Sequence, residues 1–560
     1  MKIALAQINP TVGDLAGNAE KIYRFALQAK ALQAKLVVFP ELALCGYPPR
    51  DLLLRRDFLE KMWRFYEELK KEISGIAVIL GLAIPNQHFD LPWQNLAVCF
   101  AEGKELVRYA KNLLPAYDVY DEPRYFAPTF ETTCFSLEGI RLALTVCEDI
   151  WNLPGFVPYR YPFDPISELK AQGPQVIINI SASPFHLGKG ELRKDLLRQQ
   201  ARRTGAWVVY CNQVGANDHL IFDGHSLVFN PDGKLLAEAK DFEEDLLVFD
   251  LKEEKPVLHP VSSRREESLL KALTLGLRDY FRKTGFSKAL VGLSGGIDSS
   301  VTASIAARAL GAQNVLGILM PSPYTSSAST EDALALAQNL GLETLTIPIT
   351  QAFEALKKDL ARALGKEPKG LTQENLQARL RGNILMALAN EFGCLVLNTG
   401  NKSELAVGYC TLYGDTCGAL SVLGDVLKGD VYALAREINR EREIIPQRVL
   451  EKPPSAELRP DQKDEDDLPP YRLVDPIVRA FVEEGRSYQE IVELGYSPSV
   501  VKEVLRRLRR EEYKRWQFPP TLRVSPQAFG YGWRYPIAQR FFFESASPKF
   551  PLVRKKDINS

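Results

Sequence analysis

Cys147 lies where an apolar run ends, in the stretch LTVCEDIW (144–151). A cysteine in this setting can be a buried structural thiol, a metal ligand or a nucleophile. Two carboxylates follow it directly, Glu148 and Asp149, and their negative charges oppose the formation of a thiolate. The nucleophile interpretation therefore needs partners from elsewhere in the chain.

Two residues distant in sequence have the chemistry of such partners. Glu41 ends the apolar run KLVVFPEL (35–42) before a turn with glycine and proline, and Lys111 follows the run LAVCFAEGKELVRYA (96–110). Side chains at strand ends can converge at one edge of a sheet. A carboxylate can act as general base towards a thiol, and an ammonium can stabilise an oxyanion. Taken singly, such residues are more often solvated or, for the cysteine, part of the core.

A second stretch, VGLSGGIDSSVTAS (291–304), joins an apolar strand to a helix. Its glycines permit a tight turn, and the amides at the following helix N-terminus favour an anion. The loop lacks the Gly-Lys-Ser/Thr ending of a Walker A loop, and it does not match GxGxxG. Asp298 would repel phosphate unless Mg²⁺ bridges the two. The alternative is an ordinary glycine-rich turn between a strand and a helix, but the whole string Ser-Gly-Gly-x-Asp-Ser-Ser favours a phosphate site that works with a metal ion.

The elements that must position these residues differ between the two halves of the chain. Up to about residue 252, short apolar runs and the turns AEGKE and NPDGK predict hairpins, with helices between several strands. This mixture predicts a layered α/β domain with a largely antiparallel sheet. From residue 265 onwards strand and helix alternate, which is typical of βαβ units on a parallel sheet. The predicted organisation is a domain 1–252, a linker 253–264, a domain 265–544 and a polar tail 545–560.

The composition restricts the class of protein and its partners. The 560 residues include 70 Lys+Arg and 70 Asp+Glu, so the net charge is zero and neither nucleic acid nor another bulk polyanion is expected as a partner. The eight cysteines form no CxxC pair and only five histidines are present, which argues against a disulfide framework and a structural zinc site. No stretch has the length of a signal peptide's apolar core or of a membrane span. A cytoplasmic protein is therefore expected.

The loop SGGIDSS resembles the pyrophosphate loop of AMP-forming ATP pyrophosphatases, and later segments narrow this resemblance. Segments 371–390, 395–415, 426–435 and 453–471, which include ENLQARLRGN, NTGNKSE, LKGD and PPSAEL, resemble the NAD synthetase family, and the likeness covers nearly all of 265–540. It implies a doubly wound parallel sheet that uses ATP and Mg²⁺, without haem, flavin or zinc, to act on deamido-NAD. It further implies ATP contacts from Ser294, Gly295, Gly296, Asp298, Ser299, Ser300, Thr399, Lys428 and Ser455, deamido-NAD contacts from Asn375, Arg379 and Asp415, and Mg²⁺ ligation by Asp298 and Glu404.

Glu41, Lys111 and Cys147, in this order and with these flanks, resemble the nitrilase superfamily over about residues 1–250. This resemblance implies an αββα sandwich that hydrolyses glutamine through a thioester on Cys147. Glu41 would be the general base, and Lys111 would lower the thiol pKa and stabilise the oxyanion. The resemblance also implies that Tyr117, Glu148, Ser183 and Lys189 surround bound glutamine.

Together the two resemblances are those of the glutamine-dependent NAD synthetases. The leading hypothesis is a bifunctional enzyme in which ammonia from glutamine passes through a channel and displaces AMP from adenylated deamido-NAD. The family resemblance also implies a homo-oligomer built on a synthetase-domain dimer. Two alternatives stay open: the same chemistry with another acceptor acid, against which segments 371–471 argue, and a first domain that is an inactive scaffold, against which the intact Glu41, Lys111 and Cys147 argue. The sequence assigns no role to the acidic segment 461–467.

Overall fold

The computed structural model describes residues 1–85, 93–253, 255–541 and 543, so the predicted tail 545–560 lies outside the described residues. The strands of the first half are β1 (Lys2–Gln7), β2 (Leu36–Val38), β3 (Ala77–Pro85), β4 (Trp93–Ala101), β5 (Lys104–Ala110), β6 (Cys134–Leu137), β7 (Ile140–Val146), β8 (Val176–Ser181), β9 (Trp207–Asn212), β10 (Val214–Asn217), β11 (Leu220–Asp223), β12 (Leu227–Phe229), β13 (Leu235–Glu238), β14 (Asp245–Asp250) and β15 (Val257–Leu258). Its helices are α1 (Leu15–Ala31), α2 (Arg56–Glu72), α3 (Pro165–Gln172) and α4 (Lys189–Thr204).

The first half is a sandwich of two sheets between two layers of helices. Over the described residues one sheet has the order β14-β1-β2-β3-β4-β5 and the other β15-β13-β12-β9-β8-β7-β6. Alternate residues of β1 face opposite sides, as the period of a strand requires. Ile3 and Leu5 pack against the second sheet, whereas Ala4 and Ala6 pack under α1 and α2. Helices α3 and α4 cover the outer face of the second sheet, and the αββα prediction is confirmed.

The prediction of a largely antiparallel sheet is wrong for the strands that carry the candidate site. Strands β1, β2 and β3 are mutually parallel, and so are β7, β8 and β9. The predicted hairpins do form, since β4 pairs antiparallel with β5 and β12 with β13. Two antiparallel steps from β3 give β5 the same direction as β2, so the residues after β2 and β5 emerge at one edge of the sheet. Hairpin turns signalled antiparallel pairs, but the direction of the central strands depends on the helical crossovers.

The second half is a doubly wound parallel domain, as expected. Its strands are β16 (Ala289–Gly292), β17 (Val315–Leu319), β18 (Glu343–Thr346), β19 (Leu395–Asn398) and β20 (Leu420–Ser421). They pair in parallel in the order β18-β17-β16-β19-β20. The chain order reverses between β16 and β19, and ligands of such sheets bind at the carboxyl ends of the strands on either side of this point. The helices are α5 (Arg265–Thr284), α6 (Ile297–Leu310), α7 (Ser327–Leu340), α8 (Thr350–Leu364), α9 (Leu371–Phe392), α10 (Lys402–Val407), α11 (Lys428–Ile438), α12 (Gln447–Glu451), α13 (Tyr471–Val478), α14 (Tyr488–Glu493), α15 (Pro498–Arg510) and α16 (Glu512–Arg515).

The two halves pack directly against each other. Side chains of β10 and β11, including Val214 and Ile221, share an apolar core with α5. Near the end of α5, Lys283 donates hydrogen bonds of 2.8 Å each to Asn9 Oδ1 and to the carbonyls of Pro10 and Ala216. Within the described ranges, none of the helices is both long and apolar enough to cross a membrane.

One segment, residues 521–527 and here named the strap, contacts both halves. On the first half, Leu187 N donates to Val524 O at 2.9 Å, and the Arg523 guanidinium contacts Asp118 Oδ2 at 2.5 Å. On the second half, the fully buried ammonium of Lys402 donates to Ser525 Oγ at 2.7 Å and to a carbonyl of the strap at 2.8 Å. The strap therefore connects Lys402, the first residue of α10, to Asp118, which follows Tyr117 in the first half.

Candidate active sites

Cys147 is the first residue of a short 3₁₀ turn, Cys147–Ile150, which directly follows β7. Its φ of +44° lies in the left-handed region, which a residue with a Cβ adopts only when its surroundings impose it. Asp149 supplies that constraint, because its carboxylate accepts hydrogen bonds of 2.8–3.0 Å from the amides of Asn112, Leu113 and Val146 and from the Tyr109 hydroxyl. The second acid of the motif thus holds the turn in place and ties it to the end of β5.

Glu41 and Lys111 meet in the buried region beside this turn. Lys111 Nζ lies 2.8 Å from Glu41 Oε1, and neither side chain is exposed. Glu41 also accepts from Asn95 Nδ2 at 2.7 Å and from Ala182 N at 2.9 Å. A Cβ on Gly81 of β3 would lie 2.4–2.5 Å from backbone atoms beside Glu41, so the glycine permits the close approach of the Glu41 loop.

Glu122 is a member of this group that the sequence interpretation missed. Its Oε1 accepts from Lys111 Nζ at 2.8 Å and from Tyr47 at 3.0 Å, so one buried ammonium lies between two glutamates. Burial, with a further contribution from the charge of Glu41, raises the pKa of Glu122 to about 7. The sequence signal was weak, because Glu122 lies in the acidic, proline-containing stretch YDVYDEPRYF where a solvated carboxylate is the ordinary expectation.

The electrostatic environment keeps Cys147 as a neutral thiol. Burial raises its pKa well above the usual value, the charges of Glu41, Glu122 and Glu148 raise it further, and Lys111 opposes them. Lys111 lowers the thiol pKa, as expected, but burial and three carboxylates outweigh this one ammonium, so the net shift is upward. Because the thiol is neutral, it must lose its proton to a base during the reaction. Among the carboxylates, Glu41 raises the pKa of Cys147 the most.

Of the residues expected around glutamine, Glu148 interacts with both Tyr117 and Lys189. Glu148 is buried, and its Oε1 accepts hydrogen bonds from Tyr117 at 2.9 Å and from Tyr161 at 3.1 Å. Ser183 follows β8, and its amide donates to Asn212 Oδ1 at 2.9 Å. Lys189 begins α4 with its ammonium 4.9 Å from the ring centroid of Trp151, and burial together with Arg523 and Arg193 lowers its pKa to about 8. Tyr161 was not anticipated.

The second site is a cleft of about 300 Å³ at the carboxyl ends of β16 and β19. Its walls include the residues predicted for ATP at Ser294, Gly295, Gly296, Asp298, Thr399, Lys428 and Ser455. Ser299 and Ser300 are buried in the first turn of α6, where both hydroxyls donate to the Gly296 carbonyl, at 3.0 and 2.8 Å. The cleft therefore lies where the reversal of strand order places a ligand, at the N-terminus of α6.

Two carboxylates bracket one cation position in this cleft. Lys428 Nζ lies 2.5 Å from Asp298 Oδ2 and 3.1 Å from Glu404 Oε1. Asn401 caps α10 and donates to Asp298 Oδ1 at 2.8 Å, which fixes the two acids relative to each other. Carboxylate oxygens are the protein ligands that Mg²⁺ uses, with phosphate and water completing its coordination. The donor set fits the Mg²⁺ ion that the family resemblance implies.

The residues expected to contact deamido-NAD divide between two places. Asp415 lines the cleft, and its carboxylate accepts from the Thr411 amide at 2.6 Å. Asn375 accepts from the Thr411 hydroxyl at 2.8 Å, and exposed Arg379 donates to the Leu412 carbonyl at 3.2 Å, so both support the 411–412 loop from outside the cleft wall.

The face of α9 that lines the cleft is a different one, formed by Ala378, Arg381, Gly382 and Leu385. Arg381 Nε donates to the Met320 carbonyl at 3.1 Å, and burial lowers the pKa of its guanidinium to about 10. The spacing i, i+3, i+4, i+7 of these residues is a helical stripe that contains small residues and one arginine. Attention to that stripe, rather than to the more polar one, would have found Arg381.

Comparison with known proteins gives matches over almost the whole chain. Residues 2–255 match the carbon–nitrogen hydrolase family and residues 269–518 match the NAD synthase family. A glutamine-dependent NAD(+) synthetase of Synechocystis sp. is 48% identical over 96% of this chain and 99% of its own length. A protein of the same name from Thermotoga maritima is 42% identical over 97% and 99% of the two chains.

Solved structures give the same picture. The glutamine-dependent NAD+ synthetase of Acinetobacter baumannii, solved in complex with adenosine diphosphate, is similar with a TM-score of 0.77 and 37% identity over 96% of this chain and 98% of its own. A structure from Cytophaga hutchinsonii, 22% identical with a TM-score of 0.82, shares the fold over 96% and 97% of the two chains.

Proposed function

The chain belongs to the glutamine-dependent NAD(+) synthetases, and we propose that the two sites described above perform the two halves of that activity. The first half releases ammonia from glutamine, and the second uses ATP and this ammonia to convert deamido-NAD into NAD, with AMP and pyrophosphate as the other products. We place the division between them at residues 253–264. The observation that carries this assignment is the electrostatic interaction of the buried Cys147 with buried Glu41 and Lys111, in the same polypeptide as the ATP cleft.

In the glutaminase site, Cys147 Sγ attacks the amide carbon of glutamine and Glu41 accepts the thiol proton. The tetrahedral oxyanion is stabilised by the Lys111 ammonium and by the amide of Glu148. The proton passes from Glu41 to the leaving nitrogen, ammonia departs, and a thioester remains. Water then attacks the thioester with Glu41 as base, which releases glutamate and restores the thiol.

The substrate-binding residues of this site suit a zwitterion. The Glu148 carboxylate can bind the α-ammonium of glutamine, while Tyr117 and Tyr161 donate to the same carboxylate and fix its direction. Lys189 supplies positive charge for the α-carboxylate, and Ser183 adds a polar contact. A buried ammonium whose pKa is lowered to about 8 gains its full charge when a carboxylate binds beside it.

In the synthetase site, the carboxylate of deamido-NAD attacks the α-phosphorus of ATP and pyrophosphate leaves. Ammonia then attacks the adenylated carbon, loses one proton and displaces AMP. The glycine loop and the N-terminal amides of α6 bind the phosphates, and the Lys428 ammonium stabilises charge on them. Asp298 and Glu404 would hold Mg²⁺, which neutralises phosphate charge when bound.

We propose that ammonia crosses the interface between the two halves rather than the bulk solvent. A cavity of about 230 Å³ lies there, with Val119 and His219 on the side of the first half and Leu405 on the side of the second. Val119 is two residues from Tyr117, and Leu405 follows Glu404. Phe518 and Phe529 add apolar surface, which favours neutral ammonia over ammonium.

The proposed assembly is a homo-oligomer built on a dimer of the second half. Large apolar side chains are exposed on α9 and on the loop that it supports, with Leu371 70%, Met386 43% and Tyr413 69% exposed. Apolar surface of this kind marks interaction sites when it is contiguous. A cytoplasmic location is proposed on the composition alone.

The replacement of Cys147 by alanine tests the assignment. Cys147→Ala is expected to reduce glutamine-dependent NAD formation by about 10³-fold or more, as the loss of a nucleophile does in other enzymes. Ammonia-dependent NAD formation should stay within about twofold of the wild type, because Cys147 does not contribute to the ATP cleft. Retained glutamine-dependent synthesis, or an equal loss with both nitrogen sources, would contradict the two-site assignment.

A further inference from the structure

One carboxylate of the acidic segment 461–467, that of Asp464, lies in the wall of the ATP cleft. Asp464 lines the cleft and is 4% exposed, whereas Asp466 and Asp467 are half exposed and pair with Arg459. The Asp464 amide donates to the Pro454 carbonyl at 3.1 Å, and the residue begins a 3₁₀ turn. The inward direction of Asp464 is therefore set by the backbone.

One oxygen of Asp464 makes no hydrogen bond of ordinary geometry to the described residues. Its Oδ2 accepts from the Tyr471 hydroxyl at 3.0 Å, whereas Oδ1 is buried without such a bond, although the Tyr409 hydroxyl also interacts with this carboxylate. A buried acceptor in that state is destabilising, and more so when it carries charge. Such an oxygen at the wall of a ligand cleft indicates a partner that arrives in another state of the site.

Lys428 is the cation placed to become that partner. Its ammonium is 3% exposed and lies 5.3 Å from the ring centroid of Tyr471, the residue that holds Asp464. Burial alone would lower the pKa of Lys428, but Asp298, Glu404 and Asp464 together raise it, so the side chain stays charged. Both of its carboxylate contacts in the cleft, Asp298 and Glu404, are the proposed Mg²⁺ ligands.

Mg²⁺ and an ammonium compete for the same carboxylate oxygens, because two cations at that separation repel each other. We propose that Asp464 is a positioning residue for Lys428: when Mg²⁺ occupies Asp298 and Glu404, the Lys428 ammonium moves from them to Asp464 Oδ1. The transfer keeps Lys428 inside the cleft beside the phosphates and gives Asp464 Oδ1 a hydrogen bond. This inference rests on the proposed Mg²⁺ role of Asp298 and Glu404. If Asp464 only anchored Tyr471, its effect on metal binding would not depend on Lys428.

The test measures metal binding rather than turnover. Mn²⁺ binding, in the presence of a non-hydrolysable ATP analogue, is followed by electron paramagnetic resonance. Asp464→Asn keeps an oxygen acceptor for Tyr471 but removes the charge, and the Mn²⁺ dissociation constant is expected to rise about 10-fold, the equivalent of one charge-assisted hydrogen bond. The matched control is Asp466→Asn in the same segment, which should stay within about twofold of the wild type.

A double-mutant cycle separates the proposed route from a direct effect of charge on the metal. In a Lys428→Met background, Asp464→Asn should change Mn²⁺ affinity by less than about threefold. An unchanged dissociation constant in Asp464→Asn, an equal effect of Asp466→Asn, or a full effect in the Lys428→Met background would overturn the proposal. Circular dichroism checks folding, and Asp464→Ser replaces Asp464→Asn if the latter does not fold.

The Mg²⁺ assignment is tested separately in the same assay. Asp298→Asn should weaken Mn²⁺ binding whether or not Asp464 positions Lys428. If Asp298→Asn leaves Mn²⁺ binding unchanged, the assignment of the metal to Asp298 and Glu404 fails. If Asp298→Asn weakens binding and Asp464→Asn does not, only the role of Asp464 fails.

Discussion

Gly295 in the phosphate loop permits a sharp test of the ATP site. It has a φ of +74°, and a Cβ at this position would lie 2.1 Å from the carbonyl oxygen of buried Ser329 at the start of α7. Ordinary contact begins at 3.4 Å, so Gly295→Ala must move the loop or the helix by about 1.3 Å. Misplacement of binding groups by about 1 Å costs on the order of 10²-fold in rate. We therefore expect Gly295→Ala to reduce ammonia-dependent NAD formation by about 100-fold.

Gly365 provides a matched control for the backbone contribution. It ends α8 with a φ of +68°, and a Cβ there would meet nothing within 4 Å. Both substitutions carry the same left-handed penalty of about 1 kcal/mol, but the steric clash is specific to Gly295. NAD is measured by its reduction with alcohol dehydrogenase at saturating ammonium and deamido-NAD, with ATP varied. Rates for Gly295→Ala within threefold of those for Gly365→Ala would refute the steric argument.

Two further substitutions test the buried groups of the first half and the interface. The pKa of Glu122 is raised from 4.5 to about 7, so the folded state loses about 3 kcal/mol of stability as pH rises from 4.5 through 7. The calorimetric Tm of the wild type should therefore fall between pH 5 and pH 8, and in Glu122→Gln this fall should be smaller by several degrees. Equal falls in the two proteins would refute this. Asp118→Asn removes the partner of the strap guanidinium, and we expect it to raise at least twofold the ratio of glutamate released to NAD formed while ammonia-dependent synthesis is retained. Lys271→Met, which breaks the 3.3 Å interdomain contact with Asp241, is the control and should leave that ratio unchanged; a similar rise in both variants would contradict a specific role of the strap.

The predictability of the two sites differed for a physical reason. The phosphate loop is one continuous stretch, and its conformation depends on glycines and a helix N-terminus that are read directly from neighbouring residues. Its predicted residues lie in or directly beside the cleft. Asn375 and Arg379 were assigned along α9 by resemblance, but which stripe of a helix faces a cleft depends on its rotation against β16 and β19. The rotation of α9 depends on tertiary packing, and in this structure it places Arg381 in the wall of the cleft.

In the first site, too, some residues could be predicted from local sequence and others depended on tertiary packing. Glu41, Lys111 and Cys147 were recognised from their order and flanks, and the structure brings Glu41 and Lys111 into direct contact. Glu122 escaped notice because nothing in its local sequence distinguishes a buried carboxylate from a solvated one. The net direction of the thiol pKa shift could not be read from the sequence for a similar reason, since it depends on burial and on the number of carboxylates that converge on the sulfur.

The amino-acid sequence alone determined the two families, because these depend on residue types at short, fixed spacings, and it predicted the phosphate loop and Cys147 as the nucleophile. The tertiary structure decided which strands run parallel, and so which strand ends meet. It also determined how α9 is rotated about its axis and which carboxylates are buried away from water. Glu122, Arg381 and Asp464 became visible only there. Burial and convergence arise from the packing of segments that are distant along the chain, and no local pattern encodes them.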